Sequence, residues 1–502
     1  MRPAKLVPAG VVLLAAGAIA AAAQLAGPSS PATGHTATAQ QVAVTSADRA
    51  CPPVQGGGTG TVAFIAGPVP ASPAGPVSTG PVSTGSGQAE LAALPLAGTV
   101  LRTAAPISQT QPGVLKMLTI PAAQSATKKA GTVLQGWSVT AAGPMARAME
   151  AEEATSSGVA SVRCGEPGSD LWFVGPGQQS GAAQIQLDLM NVDSLTATVD
   201  VTTVTDAGPV QAGTGTGITV PPHQTVTESL SSLAAGSSVV AIQVRTSVGR
   251  VAADVSENTS SGGTASWLPA TAPPSTQLVI PGVATSSSAA RLYIVVPGNS
   301  TAEVSVVALT AQGTYRPFGT QLTDLPGDSA TYVPLTPLGG TASALELTAN
   351  VPIAAAVLVP GGGLGAFTAA TAPITEQAVV AGSSDGSGLS TTIALTAPAG
   401  AARVRLTELT AAGDTSAGGP TASQEVTVAA SHTLAVPVTA PRGASQGSAF
   451  AVEITPLAGS GPLYAARVAA HGSSIVSIIP AVSALTSISL PPVRNSYDAI
   501  SP

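Results

Sequence analysis

From Ala197 to Gly208 the chain reads Ala197-Thr-Val199-Asp-Val201-Thr-Thr-Val204-Thr205-Asp-Ala-Gly208, with apolar and polar positions alternating. A period of two puts one face of a strand in a core and the other in water. The same phrase returns as Ala302-Glu-Val304-Ser-Val306-Val-Ala-Leu309-Thr310-Ala-Gln-Gly313 and as Ala402-Arg-Val404-Arg-Leu406-Thr-Glu-Leu409-Thr410-Ala-Ala-Gly413. A second phrase follows each: Val251-Ala-Ala-Asp-Val255, Ile353-Ala-Ala-Ala-Val357 and Tyr464-Ala-Ala-Arg-Val468, with a weaker echo at Met145-Ala-Arg-Ala-Met149. Two phrases recurring in one order mark internal repeats. Four domains of about 100 residues with short antiparallel strands have the size of immunoglobulin-like sandwiches. The fold class expected is all-β, with tandem immunoglobulin-like β-sandwich domains after an N-terminal transmembrane or signal helix. A propeller is the runner-up, although blades usually repeat at about 40–50 residues. The expected divisions are 51–168 for a divergent first domain with a disulfide, 169–284, 285–381 and 382–492 for three repeats, and 493–502 for a tail. The Gly-Pro-Val-Ser-Thr repeats within 67–88 read as a loop of the first domain.

The one long apolar run lies at the start. Arg2 and Lys5 precede an uncharged stretch from Leu6 to Ala26, long enough to cross a ~30 Å hydrocarbon core as a helix. The positive flank directs the rest of the chain out of the cytoplasm. Ala21-Ala22-Ala23 offers a cleavage site, so residues 1–27 read either as a signal peptide or as an uncleaved signal-anchor that would make the membrane a partner. Residues 28–50, rich in Pro, Ser, Thr and Ala, read as a flexible tether. Location is therefore expected to be extracytoplasmic, membrane-anchored or secreted. In that setting the two cysteines, Cys51 and Cys164, most simply form one disulfide.

Charge narrows the partners. Only 9% of residues are charged and the net charge is −7, with no run of basic residues longer than Lys128-Lys129. Nucleic-acid binding needs a clustered basic face, so no nucleic acid is expected. The isolated histidines His35, His223, His432 and His471 offer no metal-ligand spacing; neither a metal nor a cofactor is expected.

Candidate chemistry is sparse. Gly382-Ser-Ser384-Asp-Gly386 matches a nucleophile-elbow pattern, but that elbow needs a strand before it and a helix after it; a strand from Thr391 is expected instead. Asp188, Asn191, Asp193 and Asp200 form an acidic cluster without the loop pattern of a calcium site, and read as a solvated strand face. Glu150, Glu152 and Glu153 read as a solvated helix or loop. Gly361-Gly-Gly-Leu-Gly365 reads as a turn. Trp172 and Trp267 stand at the opening and near the end of the second domain. They read either as packing at a joint or as a candidate recognition surface.

Asp48-Arg-Ala-Cys51-Pro52, Cys164, Trp172-Phe-Val-Gly175, Gly249-Arg-Val-Ala-Ala253, Trp267-Leu-Pro269, Ile280-Pro-Gly282 and Pro492-Val-Arg-Asn-Ser-Tyr497 occur in that order. The chain thereby resembles an uncharacterised family of exported, N-terminally anchored envelope proteins of high-GC Gram-positive bacteria. The resemblance implies an envelope protein, often encoded near cell-wall glycosyltransferase genes, with no assigned activity or catalytic residues. Together these readings give an expected function: not an enzyme, but an exported scaffold, spacer or docking surface for wall polymer or an envelope assembly partner. A glycan-binding module and an exported wall-remodelling hydrolase are the alternatives.

Overall fold

The computed structural model describes residues 40–54, 60–66, 89–97, 113–120, 135–155, 160–177, 183–210, 215–230, 236–259, 266–284, 290–335, 343–361, 365–384, 388–410, 422–444, 448–484 and 486–490. Residues 1–27, residues 28–39 of the expected tether, the 67–88 stretch and the 493–502 tail lie outside them, and so do the expectations for those segments. The rest of the expected 28–50 tether is instead strand, at Gln40–Ala43 and Ser46–Cys51, because its last residues are buried. Among the described residues the chain is strands and turns, with a 3-10 turn at Gly143–Ala146 and no α-helix. None of them forms a helix long and apolar enough to cross a membrane. One compact unit contains the antiparallel pair Gln40–Ala43 with Ser487–Leu490. The other spans Val44–Thr486.

In the second unit the sheets come in pairs, here called modules 1 to 4. Module 4 shows the plan. Its strands are Ala378–Ser383, Leu389–Ala397, Ala402–Thr410, Ala422–Val428, His432–Val438, Phe450–Pro456, Tyr464–His471 and Ser474–Pro480. Counted in that order, one sheet runs first-sixth-third-fourth and the other fifth-second-seventh-eighth, all antiparallel. Module 2 repeats the plan from Asp170–Pro176 to Ser266–Leu268. Module 3 repeats it from Ser275–Val283 to Ala366–Ala369, with the long strand Ser343–Val359 serving as both sixth and seventh. Module 1 repeats it from Ser46–Cys51 to Ser161–Arg163, without a fourth strand among the described residues. Each sheet pair encloses its own buried apolar cluster.

The alternating phrase is the third strand of modules 2, 3 and 4, with its Ala and Val side chains in the core and its polar ones outward. Thr205–Gly208 and Thr310–Gly313 close hairpins in which Gly208 and Gly313 adopt φ of 103° and 117°, a region that L side chains rarely enter. The Ala-rich phrase is the seventh strand. It lacks alternation because both its faces are buried, one by its own core and one by a neighbouring module.

Two expectations are corrected by the pairing. The division at 284/285 falls one strand late and that at 381/382 cuts through a strand, because Ser275–Val283 and Ala378–Ser383 pair with the sixth strands of modules 3 and 4. The Ser- and Gly-rich runs that suggested linkers follow first strands instead. The seventh-strand register also shifts. Opposite the second-strand core residues Val62, Leu187, Leu292 and Ile393 stand Glu153, Val255, Val357 and Arg467. The counterpart of Val251–Val255 is therefore Leu463–Arg467 in module 4 and Met149–Glu153 in module 1. Met145 and Ala146 belong to the 3-10 turn.

The modules close into a ring. Ala50 and Leu94 of module 1 pack on Met190 and Ala252 of module 2. Trp172, Val174 and Ala241 of module 2 pack on Tyr293, Ala354 and Ala356 of module 3. The core of module 3 takes in Ala394, Ala466, Val468 and Ile478 of module 4. Val379, Ala381 and Ala451 of module 4 return to Ala63 and Ile65 of module 1.

Candidate functional site

Each joint is built from two adjacent positions on the seventh strand. One, here the inner position, faces its own core at the end that abuts the next module: Glu153, Val255, Val357 and Arg467. The residue before it, the outer position, faces the preceding module: Glu152, Asp254, Ala356 and Ala466. All eight are buried. Between modules 3 and 4, inner Val357 and outer Ala466 share one apolar cluster. The other chemistry of the ring is concentrated on module 1.

Between modules 4 and 1, inner Arg467 meets outer Glu152. Arg467 Nη1 lies 2.5 Å from Glu152 Oε2. Glu152 Oε1 accepts the Ala381 N–H at 2.9 Å. Arg467 also donates to the Ala381 carbonyl and, at 3.3 Å, to Ser161 Oγ. Burial pushes the Glu152 carboxyl up, while Arg467, Arg163 and the Ala381 N–H pull it down. Beside it, Glu150 is paired with Arg163 at 2.7 Å, and burial raises its pKa to about 7.

Between modules 1 and 2, Arg250 reaches Asp48 at 3.6 Å where both are partly exposed, but no described cation pairs with the buried acids of this joint. Inner Glu153 approaches Asp188 and outer Asp254, which are cross-strand partners on the outer face of module 2. Asp188 Oδ1 accepts from Thr227 Oγ1 at 2.6 Å. Asp188 Oδ2, Asp254 Oδ2 and both Glu153 carboxylate oxygens have no hydrogen-bond partner. Burial raises Asp188 to about 7. Burial, then neighbouring acid, holds Glu153 and Asp254 well above the usual carboxylate range.

Equivalent residues of the four eighth strands line one small cleft. Ser161, Trp267, Phe367 and Ile478 occupy matching pairing positions, and Ala160, Ser266, Ala366 and Ser477 precede them. Ser161 and Ser477 share a hydrogen bond of 3.0 Å, and Ser266 donates to the Gly365 carbonyl at 2.7 Å. The cleft marks a pseudo-fourfold axis. Its walls hold hydroxyls, small apolar groups and the Trp267 indole, whose N–H has no partner.

These placements dispose of most of the sequence candidates. Trp172 and Trp267 are 7% and 5% exposed and pack at joints, so neither presents a recognition surface. Glu150, Glu152 and Glu153 lie on a buried strand rather than a solvated segment. The acidic cluster is dispersed: Asp188 turns into the joint, Asn191 donates to the Leu195 and Val220 carbonyls, Asp193 pairs with Arg250, and Asp200 accepts from Gly217. Ser384 follows one strand and residues 389–397 form the next, so it lacks the helix of an elbow. Cys51 and Cys164 are disulfide-bonded and buried in the core of module 1. The turn Tyr315-Arg316-Pro317-Phe318 was missed. Phe318 is 87% exposed on a turn pinned by Thr320 Oγ1 donating to the Pro317 carbonyl at 2.7 Å. Its signal was a concentration of aromatics in a chain with 3% aromatic residues.

A family model described as a family of unknown function (DUF5719) matches residues 122–439, more than half the chain. The chain belongs to that family. The match begins before the charged seventh strand of module 1 and ends after the fifth strand of module 4, so it takes in both acidic positions but stops short of Arg467. No curated protein and no solved structure matches the chain.

Proposed function

We propose that this member of the family is a non-enzymatic, exported cell-envelope protein, serving as a scaffold, spacer or docking surface for wall polymer or an envelope assembly partner. The observation that supports this reading is the ring itself. The seventh strands are taken up in joints and cores, which leaves the wet faces of the third strands and the outward turns as the surfaces offered to a partner. The buried disulfide is compatible with an extracytoplasmic location. In this reading residues 1–27 direct or anchor the chain, and each module is a sandwich of immunoglobulin-like size. Its first-sixth-third-fourth and fifth-second-seventh-eighth order is distinct from that of antibody domains.

The glycan-binding alternative is favoured by one feature, the exposed Tyr315–Phe318 turn. Aromatic faces held on a pre-ordered turn cost little entropy to use. Co-sedimentation of the full-length chain with purified cell-wall sacculi, beside an inert exported protein, tests both readings. Saturable binding that Phe318→Ser abolishes, with melting unchanged, supports docking through this turn. No binding at any salt concentration would exclude direct wall recognition and direct the search to a protein partner.

A further inference from the structure

The scaffold reading gives no role to the three acids between modules 1 and 2. Three buried carboxylates without a counter-charge are costly if ionised, because each loses its hydration and repels the others. The neighbouring cations are engaged elsewhere. Arg49 holds Glu166 and the Met149 carbonyl, Arg163 holds Glu150, and Arg467 holds Glu152. Of the adjoining strands, Gly60–Ile65 and Gln135–Ala142 carry no charged residue. Glu228 and Glu257 fall on the opposite face of the module 2 sheet by strand alternation. Asp48 bonds Thr140 and lies near Arg250. Only Glu153, Asp188 and Asp254 act on one another. Among the described residues no three acidic, histidine or cysteine side chains converge closely enough to share a metal ion.

We propose that the joint between modules 1 and 2 is a proton-operated latch, closed while Glu153, Asp188 and Asp254 hold protons and loosened when they release them. A protonated carboxyl donates where an ionised one only accepts, so protons convert mutual repulsion into a set of neutral groups that can be buried together. The direction comes from linkage. Each acid titrates higher in the closed joint than in water, so the closed form binds more protons. The latch is fully effective below the ordinary carboxylate range. It weakens as pH rises through about 7, where Asp188 titrates, and further as the other two ionise.

Hydrogen exchange of the full-length chain at pH 5, 7 and 9, corrected for intrinsic rates, reads this directly. Protection of Ala183–Asn191 and Ala252–Thr259 should fall about tenfold or more from pH 5 to pH 9 relative to Leu389–Ala397 in module 4. In Glu153→Gln/Asp188→Asn/Asp254→Asn, whose amides stay neutral, that fall should vanish. An unchanged fall in this variant, or none in the natural chain, overturns the proposal. If the triple variant does not fold, Asp254→Asn alone decides: a smaller fall supports the latch, an unchanged one overturns it. Calcium added at pH 9 is the last arm. Restored protection in the natural chain but not in Asp254→Asn would make the cluster a cation site and overturn the proton reading, whereas no effect of calcium supports it.

Discussion

Glu152 and Glu153 are neighbours on one strand, equally buried, and they meet opposite surroundings. Glu152 points outward to Arg467, a backbone N–H and a second ion pair at Glu150. Glu153 points the other way, to two more acids and no base. The pleat alone separates them, since successive side chains leave a strand on opposite faces. The other two joints put only Val and Ala at the same two positions. A ring of four similar modules therefore needs no charge to close. The polar joints add direction and pH response to a contact that apolar residues already make.

Substitutions should separate the two polar joints from each other and from the apolar ones. Removing the Cys51–Cys164 bond should weaken both polar joints together, because module 1 carries both. The chain-entropy model puts the loss at about 4–5 kcal/mol for a 113-residue separation, measurable as a urea midpoint shift with reductant. Arg467→Met should act on one joint only. It leaves the Glu152 carboxylate buried and unpaired, at about 3–5 kcal/mol. The double change Arg467→Met/Glu152→Leu should recover most of that in the same unfolding assay. Ala356→Asp places in module 3 the acid that Asp254 provides in module 2, without Asp188 or Glu153 nearby. Stability should then fall by roughly 1–3 kcal/mol and fall further as pH rises, because a buried acid titrates above its value in the unfolded chain. Melting at pH 5 and pH 8 checks this, and equal losses at both would show that the site admits water. Phe318→Ser, far out on its turn, should change stability by no more than ~0.5 kcal/mol in the same melts.

Alternation at Ala197, Ala302 and Ala402 was enough to read the third strands, because one face of each is wet. The seventh strands were legible as a repeat but not in register. With both faces buried, Ala and Val fill every position, and only hydrogen-bonded partners show that Arg467 aligns with Val255 rather than Asp254. The charged positions were misread for the same reason. Glu and Asp on a strand normally mark its solvent side, and nothing local to Glu150, Glu153 or Asp188 announces a second module lying over it. The closure of the four modules into a ring was not legible at all, because each joint is made by residues about 100 or more positions apart.

Ring closure also sets an order in time. The outer face of module 2 is covered by module 1, that of module 3 by module 2, and that of module 4 by module 3, so each cover is synthesised before the face it covers. Module 1 is the exception. Its cover includes Arg467, 315 residues after Glu152. At roughly 5–20 residues per second, that face waits on the order of 15–60 s for its partner. An alanine there, as at Ala356 or Ala466, would leave a bare apolar strand open to any passing chain. A glutamate keeps the waiting face wet until the last module arrives with the charge that closes it.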